Sequence, residues 1–131
     1  MTFPSRTLSV FINCPPAKVY VFVSNPENLP KWAGGLCKSV RKSNHDWIAE
    51  TSQGPMKVRF AEKNDFGILD HYVSPTPGVE IFVPMRVIAN GSGSELIFTI
   101  FRSLDMSDEK FAEDIGLVER DLQILKQVLE N

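Results

Sequence analysis

From Leu36 to Arg102 the chain alternates short apolar runs with turn residues at close intervals. "LCKSVRK" stops at Ser43-Asn44, "DWIAET" at Ser52-Gln53-Gly54, "PMKVRFAE" at Asn64-Asp65, and "GILDHYV" at Pro75-Thr76-Pro77-Gly78. "VEIFVPMRVIA" stops at Asn90-Gly91-Ser92-Gly93, and "SELIFTIFR" closes the series. Short connections force consecutive strands to pair antiparallel, because a parallel pair needs a long crossover. The pattern predicts a six-stranded meander in which Asn90-Gly91 is the strongest turn signal. After it the period changes. Phe111, Ile115, Val118, Leu122, Leu125 and Leu129 recur at steps of four and three, one face of an amphipathic helix. Ser107 is placed to cap it, Asp108 and Glu109 suit the positive end of its dipole, and it should run to about Glu130.

Ahead of the meander, "RTLSVFIN" alternates and reads as a first strand. In "CPPAKVYVFVSNPENLPKW" the β-branched and aromatic run Val19 to Val23 favours a strand by propensity. Pro15 and Pro16 instead suit the first turn of a helix. Local pattern leaves that segment open.

Side-chain parity assigns faces to the clearer strands. Met56, Val58 and Phe60 should face inward, with Lys57 and Arg59 outward. Trp47, Ala49 and Thr51 form one face of their strand, and the small Ala49 beside Trp47 leaves room. Val83, Met85 and Val87 oppose Pro84, Arg86 and Ile88. Arg86 therefore points outward, unless Pro84 marks a bulge that reverses the register and turns it into an interior cation for a carboxylate or phenolate. Leu96, Phe98 and Ile100 oppose Ile97, Thr99 and Phe101, so this strand is apolar on both faces. An outer surface of that kind needs cover, and a homodimer over it is one expectation.

In outline this is an α+β chain: a strand, short helices, a meander, and one long C-terminal helix. A long antiparallel sheet curves because its strands twist. A narrow helix laid across its concave face leaves apolar space, the usual setting for a small-molecule pocket. The expected liners are Trp32, Trp47, Met56, Val58, Phe60, Val83, Met85, Phe98, Phe111, Ile115 and Leu122. Two glycine positions stand out. Gly116 within the helix fits close approach to the sheet or space for a ligand beneath it. Gly34-Gly35 turns the chain into the meander.

The best polar candidates are Asp70 and His71 in "GILDHYVSP". Neighbours on a strand point to opposite faces, so the two cannot form a dyad with each other. Both faces here carry apolar residues, and parity does not say which one is inside. An inward His71 offers acid–base chemistry near neutral pH. An inward Asp70 offers a desolvated carboxyl with a raised pKa.

Composition narrows the classes. The chain has 131 residues, enough for one domain (1–131), with 43% hydrophobic residues and a net charge of −2. Its Lys and Arg are scattered rather than clustered, which argues against nucleic-acid binding. No apolar run reaches the roughly 20 residues of a membrane span, the N-terminus lacks signal-peptide order, and a cytoplasmic location is expected. Cys14 and Cys37 lack metal or redox spacing, and His45 and His71 are not at ligand spacing. No phosphate loop, nucleophile elbow or metalloprotease motif occurs. No metal, nucleotide or haem cofactor is expected.

"INCPPAKVYVFVSNPENLPKW" resembles the opening of the helix-grip superfamily, which includes START lipid-transfer domains and the birch pollen allergen family. "FGILDHYVSP", "VPMRVIANGSGSELIFTIFR" and "MSDEKFAEDIGLVERDLQILKQVL" resemble its bacterial polyketide cyclase/dehydrase-like branch. The resemblance covers nearly the whole chain. It implies a curved antiparallel sheet of about seven strands wrapped around the C-terminal helix, with two short helices after the first strand, and it makes Val19–Val23 helical. For function it implies binding of a hydrophobic, lipid- or polyketide-like molecule in an interior cavity. Two alternatives accompany it: a cyclase or dehydratase using one cavity acid or base, and a ligand-free interaction module of co-chaperone type.

Overall fold

The computed structural model describes residues 1–131. Its elements are β1 (Ser5–Ile12), α1 (Pro16–Val23), a 3-10 turn (Pro26–Asn28), α2 (Leu29–Trp32), β2 (Cys37–Ser43), β3 (Asp46–Thr51), β4 (Gly54–Phe60), β5 (His71–Ser74), β6 (Ile81–Val83), β7 (Met85–Asn90), β8 (Gly93–Phe101) and α3 (Asp108–Glu130). The α1 segment is helical despite its strand-like composition. Pro16 sits in the first turn, Val19 N–H donates to Pro15 O, and Val19 and Val23, four apart on one face, are both fully buried. Tertiary burial of that face outweighs the weak preference of β-branched residues for strands. At α3 the Ser107 hydroxyl accepts from Lys110 N–H, the expected cap.

All strand pairs are antiparallel. They form two ladders, β1-β8-β7 and β2-β3-β4-β5-β6, so eight strands are defined where about seven were expected. The eighth arises at Pro84. His71 pairs with Val83, Tyr72 with Phe82 and Val73 with Ile81, and the bridge Ile68–Arg86 continues the same register beyond Pro84. β6 and β7 are thus two halves of one run, split where proline supplies no N–H. The register is unbroken across the split, so Pro84 causes no reversal and Arg86 stays on the outer, convex face. Gly67, at φ +71°, closes the run against β7, where a Cβ would sit 2.3 Å from Val87 O.

The core between sheet and helices is not uniform. At one end Leu8, Val10, Ile12, Met85, Val87 and Leu96 of the sheet meet Val19 and Val23 of α1 and Val118, Leu122, Leu125 and Leu129 of α3, and all are buried. At the other end the inner-face residues Trp47, Met56, Phe60, Val73, Val83, Phe98 and Ile100, with Phe111 and Ile115 of α3, are only partly buried. Gly116 lies on the exposed side of α3 with nothing within 4 Å of a Cβ built on it. It therefore serves neither close helix–sheet approach nor space beneath the helix. No helix is long and apolar enough to cross a membrane.

Candidate functional site

The half-buried inner-face residues and the N-terminal half of α3 border the core, with Phe60, Phe98, Ile100 and Ile115 packed against it. Strand parity gives the face they share. Trp47 pairs with Val58, Ala49 with Met56 and Phe60 with His71, so these side chains share the concave face, while Lys57 and Arg59 are exposed on the other.

His71 is a buried polar member of this face, with 8% of its surface exposed. Its ring lies 4.8 Å from Phe60 and 6.2 Å from Phe98, centroid to centroid. Nδ1 is 3.1 Å from Leu69 O. A carbonyl can only accept, so Nδ1 carries the proton. Burial lowers the imidazole pKa below its ordinary value, outweighing the Leu69 bond and the nearby Asp70 charge, which raise it. The ring is neutral at pH 7, and Nε2 is unprotonated.

Asp70 points the other way and is committed to structure. Its Oδ1 accepts from Met85 N–H at 2.8 Å and its Oδ2 from Arg86 Nη2 at 3.0 Å. Burial opposes ionisation, but the Arg86 guanidinium and the Met85 N–H together hold the carboxyl below the usual carboxylate range. The cause lies in the ladder. Leu69 N–H donates to Met85 O. The reciprocal bond is replaced: Met85 N–H goes to the Asp70 side chain, and Leu69 O receives His71 Nδ1. Both side chains thus satisfy backbone groups beside the Pro84 split, as buried polar groups require. Arg86 is exposed and paired with Asp70, so it contributes no interior cation.

Of the remaining expected liners, Trp32, Val58, Met85 and Leu122 are sealed in the packed core, whereas Trp47, Met56, Phe60, Val83, Phe98, Phe111 and Ile115 are not. Two of the recesses at the surface lie away from the half-buried residues among these. One of about 280 Å³ is bordered by Leu8, Ser9, Glu119, Leu122 and Gln123 between β1 and α3. A shallower one of about 420 Å³ lies around the Asn90–Ser94 turn, Phe11–Asn13 and Lys126. Neither lies beneath the N-terminal half of α3, and of the expected liners only Leu122 borders either.

One residue escaped the sequence reading. Asp121, on α3, is 3% exposed, and its Oδ1 accepts from Gly35 N–H at 3.3 Å. Burial pushes its carboxyl pKa up, more than the Gly35 bond and the Arg120 charge pull it down. The signal was present: Asp121 falls three residues after Val118 and four before Leu125, within the apolar stripe. It ties the Gly34-Gly35 turn to the helix, and a Cβ at Gly35 would lie 3.0 Å from its Oδ1. Cys14 and Cys37 are free and buried, and burial pushes both thiols up in pKa.

No family profile and no curated protein matches the sequence. Solved structures do. XoxI from Bacillus cereus superposes with a TM-score of 0.76 at 19% identity, over 98% of this chain and 96% of that one. The Aha1 dimer from Colwellia psychrerythraea gives 0.76 at 12% identity, over 97% and 96%. Ara h 8.0201 gives 0.68 at 13% identity, over 96% and 97%. Likeness at these identities speaks to architecture: this chain has the helix-grip fold that the sequence resemblance implied.

Proposed function

We propose that the protein binds an apolar small molecule in the gap between the N-terminal half of α3 and the inner face of β3 to β6. One observation carries this reading. Seven apolar side chains of the sheet's concave face and two of α3 are left partly exposed, whereas those at the opposite end are buried. Apolar surface kept wet on a concave face is unfavourable by about 25 cal/mol per Å², and an apolar guest removes that penalty. Trp47, Met56, Phe60, Val83, Phe98, Phe111 and Ile115 supply the walls and His71 the polar contact. Asp70, engaged on the convex face, takes no part.

N-phenyl-1-naphthylamine, an uncharged probe whose fluorescence rises in apolar surroundings, tests this. The wild type should take it up, and Ile115→Trp, which fills the gap, should lose most of that uptake while keeping its circular dichroism spectrum. Absence of uptake by the wild type, or unchanged uptake in the folded variant, sinks the proposal.

The outer surface supports an assembly state as part of the same reading. Phe11, Phe82, Ile88 and Phe101 are exposed on the convex face, and the Colwellia neighbour was solved as a dimer. A second copy of this chain is the occupant we assign to that face. Light scattering at micromolar concentration should return the mass of two chains, and the mass of one chain contradicts it.

A further inference from the structure

His71 does more than add polarity to the gap: its fixed tautomer dictates what a guest must offer. Its Nδ1–H is committed to Leu69 O, which has no other way to be satisfied beside the Pro84 split. Nε2, on the far side of the ring from that bond, has no hydrogen-bond partner in the fold. It is not sealed off either, because Trp32 Nε1 is the sole side-chain nitrogen or oxygen that is both sealed from solvent and unpartnered. Phe60 and Phe98 lie against the ring, 4.8 and 6.2 Å from it between centroids.

We infer that the guest is an aromatic or polycyclic molecule bearing a hydroxyl, which donates its O–H to His71 Nε2. A carbonyl or ether oxygen at that position meets a second acceptor and leaves both unpaired, a penalty that a hydroxyl avoids. A carboxylate fares worse, since it also brings an unpaired charge. The flanking rings favour a flat partner able to pack in offset or edge contact. This rests on the gap being the binding site, and the test separates the two claims.

The probes are 2-naphthol and 2-methoxynaphthalene, titrated at pH 7.5 by calorimetry against the wild type and His71→Phe. Comparing the ratio of their affinities between the two proteins cancels the difference in their own hydrophobicity. That ratio should fall about five- to tenfold in favour of the ether when His71 is replaced, the scale of one net hydrogen bond. An unchanged ratio, with both compounds still bound, overturns the hydroxyl inference and leaves the gap intact. If neither compound binds the wild type, both claims fall. Nitrogen-15 spectra of the wild-type histidine side chain read the same point without a variant. Nε2 should give the signal of an unprotonated nitrogen and shift with 2-naphthol but not with the ether. A protonated Nε2, or equal shifts with both, overturns the inference.

Discussion

Replacing Asp70 by alanine tests the account of the Pro84 split most sharply. The variant leaves the Met85 N–H, in a residue with no exposed surface, without its 2.8 Å acceptor. A buried donor left unpaired costs about 1–3 kcal/mol. The Arg86 pair adds less, because the Arg86 side chain is 53% exposed and such pairs are worth about 0–1 kcal/mol. The expected loss is about 2 kcal/mol in urea denaturation at pH 7, or roughly 5–9 °C in Tm for a chain of this size. Asp70→Asn keeps an oxygen for Met85 N–H and loses only the charge, so its loss should stay below about 1 kcal/mol. The folded Asp70 pKa lies below its unfolded value. Its charge therefore contributes stability that is fully present above about pH 4 and is lost as pH falls through the folded pKa. The gap between wild type and Asp70→Ala should narrow there. An alanine variant within about 0.5 kcal/mol of wild type, or an asparagine variant as damaged as the alanine one, refutes the reasoning.

Three further substitutions probe other parts of the fold. Gly116→Ala adds a methyl to open space in a helix interior, so urea denaturation should show a gain of about 0.5–1 kcal/mol. Gly67→Ala meets both a left-handed backbone and Val87 O at 2.3 Å, and should lose more than the roughly 1–2 kcal/mol of the backbone conformation alone. Asp121→Asn keeps an acceptor for Gly35 and removes a buried charge. Because the folded Asp121 pKa is raised, wild-type stability falls as pH rises from the unfolded to the folded value. The asparagine variant should therefore be the more stable at pH 7, with its advantage fading below about pH 4, as paired urea melts will record.

Most of the architecture was legible in the sequence because each strand is bounded by turn residues and alternates with period two. Lys57 and Arg59 against Met56, Val58 and Phe60 settled the faces of β4, and β3 follows by pairing. Val19–Val23 was not legible locally: its propensity and its proline flank disagree, and burial of Val19 and Val23 decides it. Asp70 and His71 were legible as special and not in their roles. Those roles depend on Pro84 facing Asp70 across the ladder, a long-range pairing that periodicity cannot supply. Parity likewise gave the inner face but not its packing. Met85 and Phe98 pair in adjacent strands, yet one is sealed and the other half-buried.

Intermolecular nuclear Overhauser contacts between N-phenyl-1-naphthylamine and isotope-labelled methyl groups test the central claim most directly. The account predicts cross-peaks to Met56, Val73, Val83 and Ile115, and none to Val19 or Leu129 in the packed end. Contacts confined to the recess beside Leu122, or to Ile88 on the convex face, would contradict it.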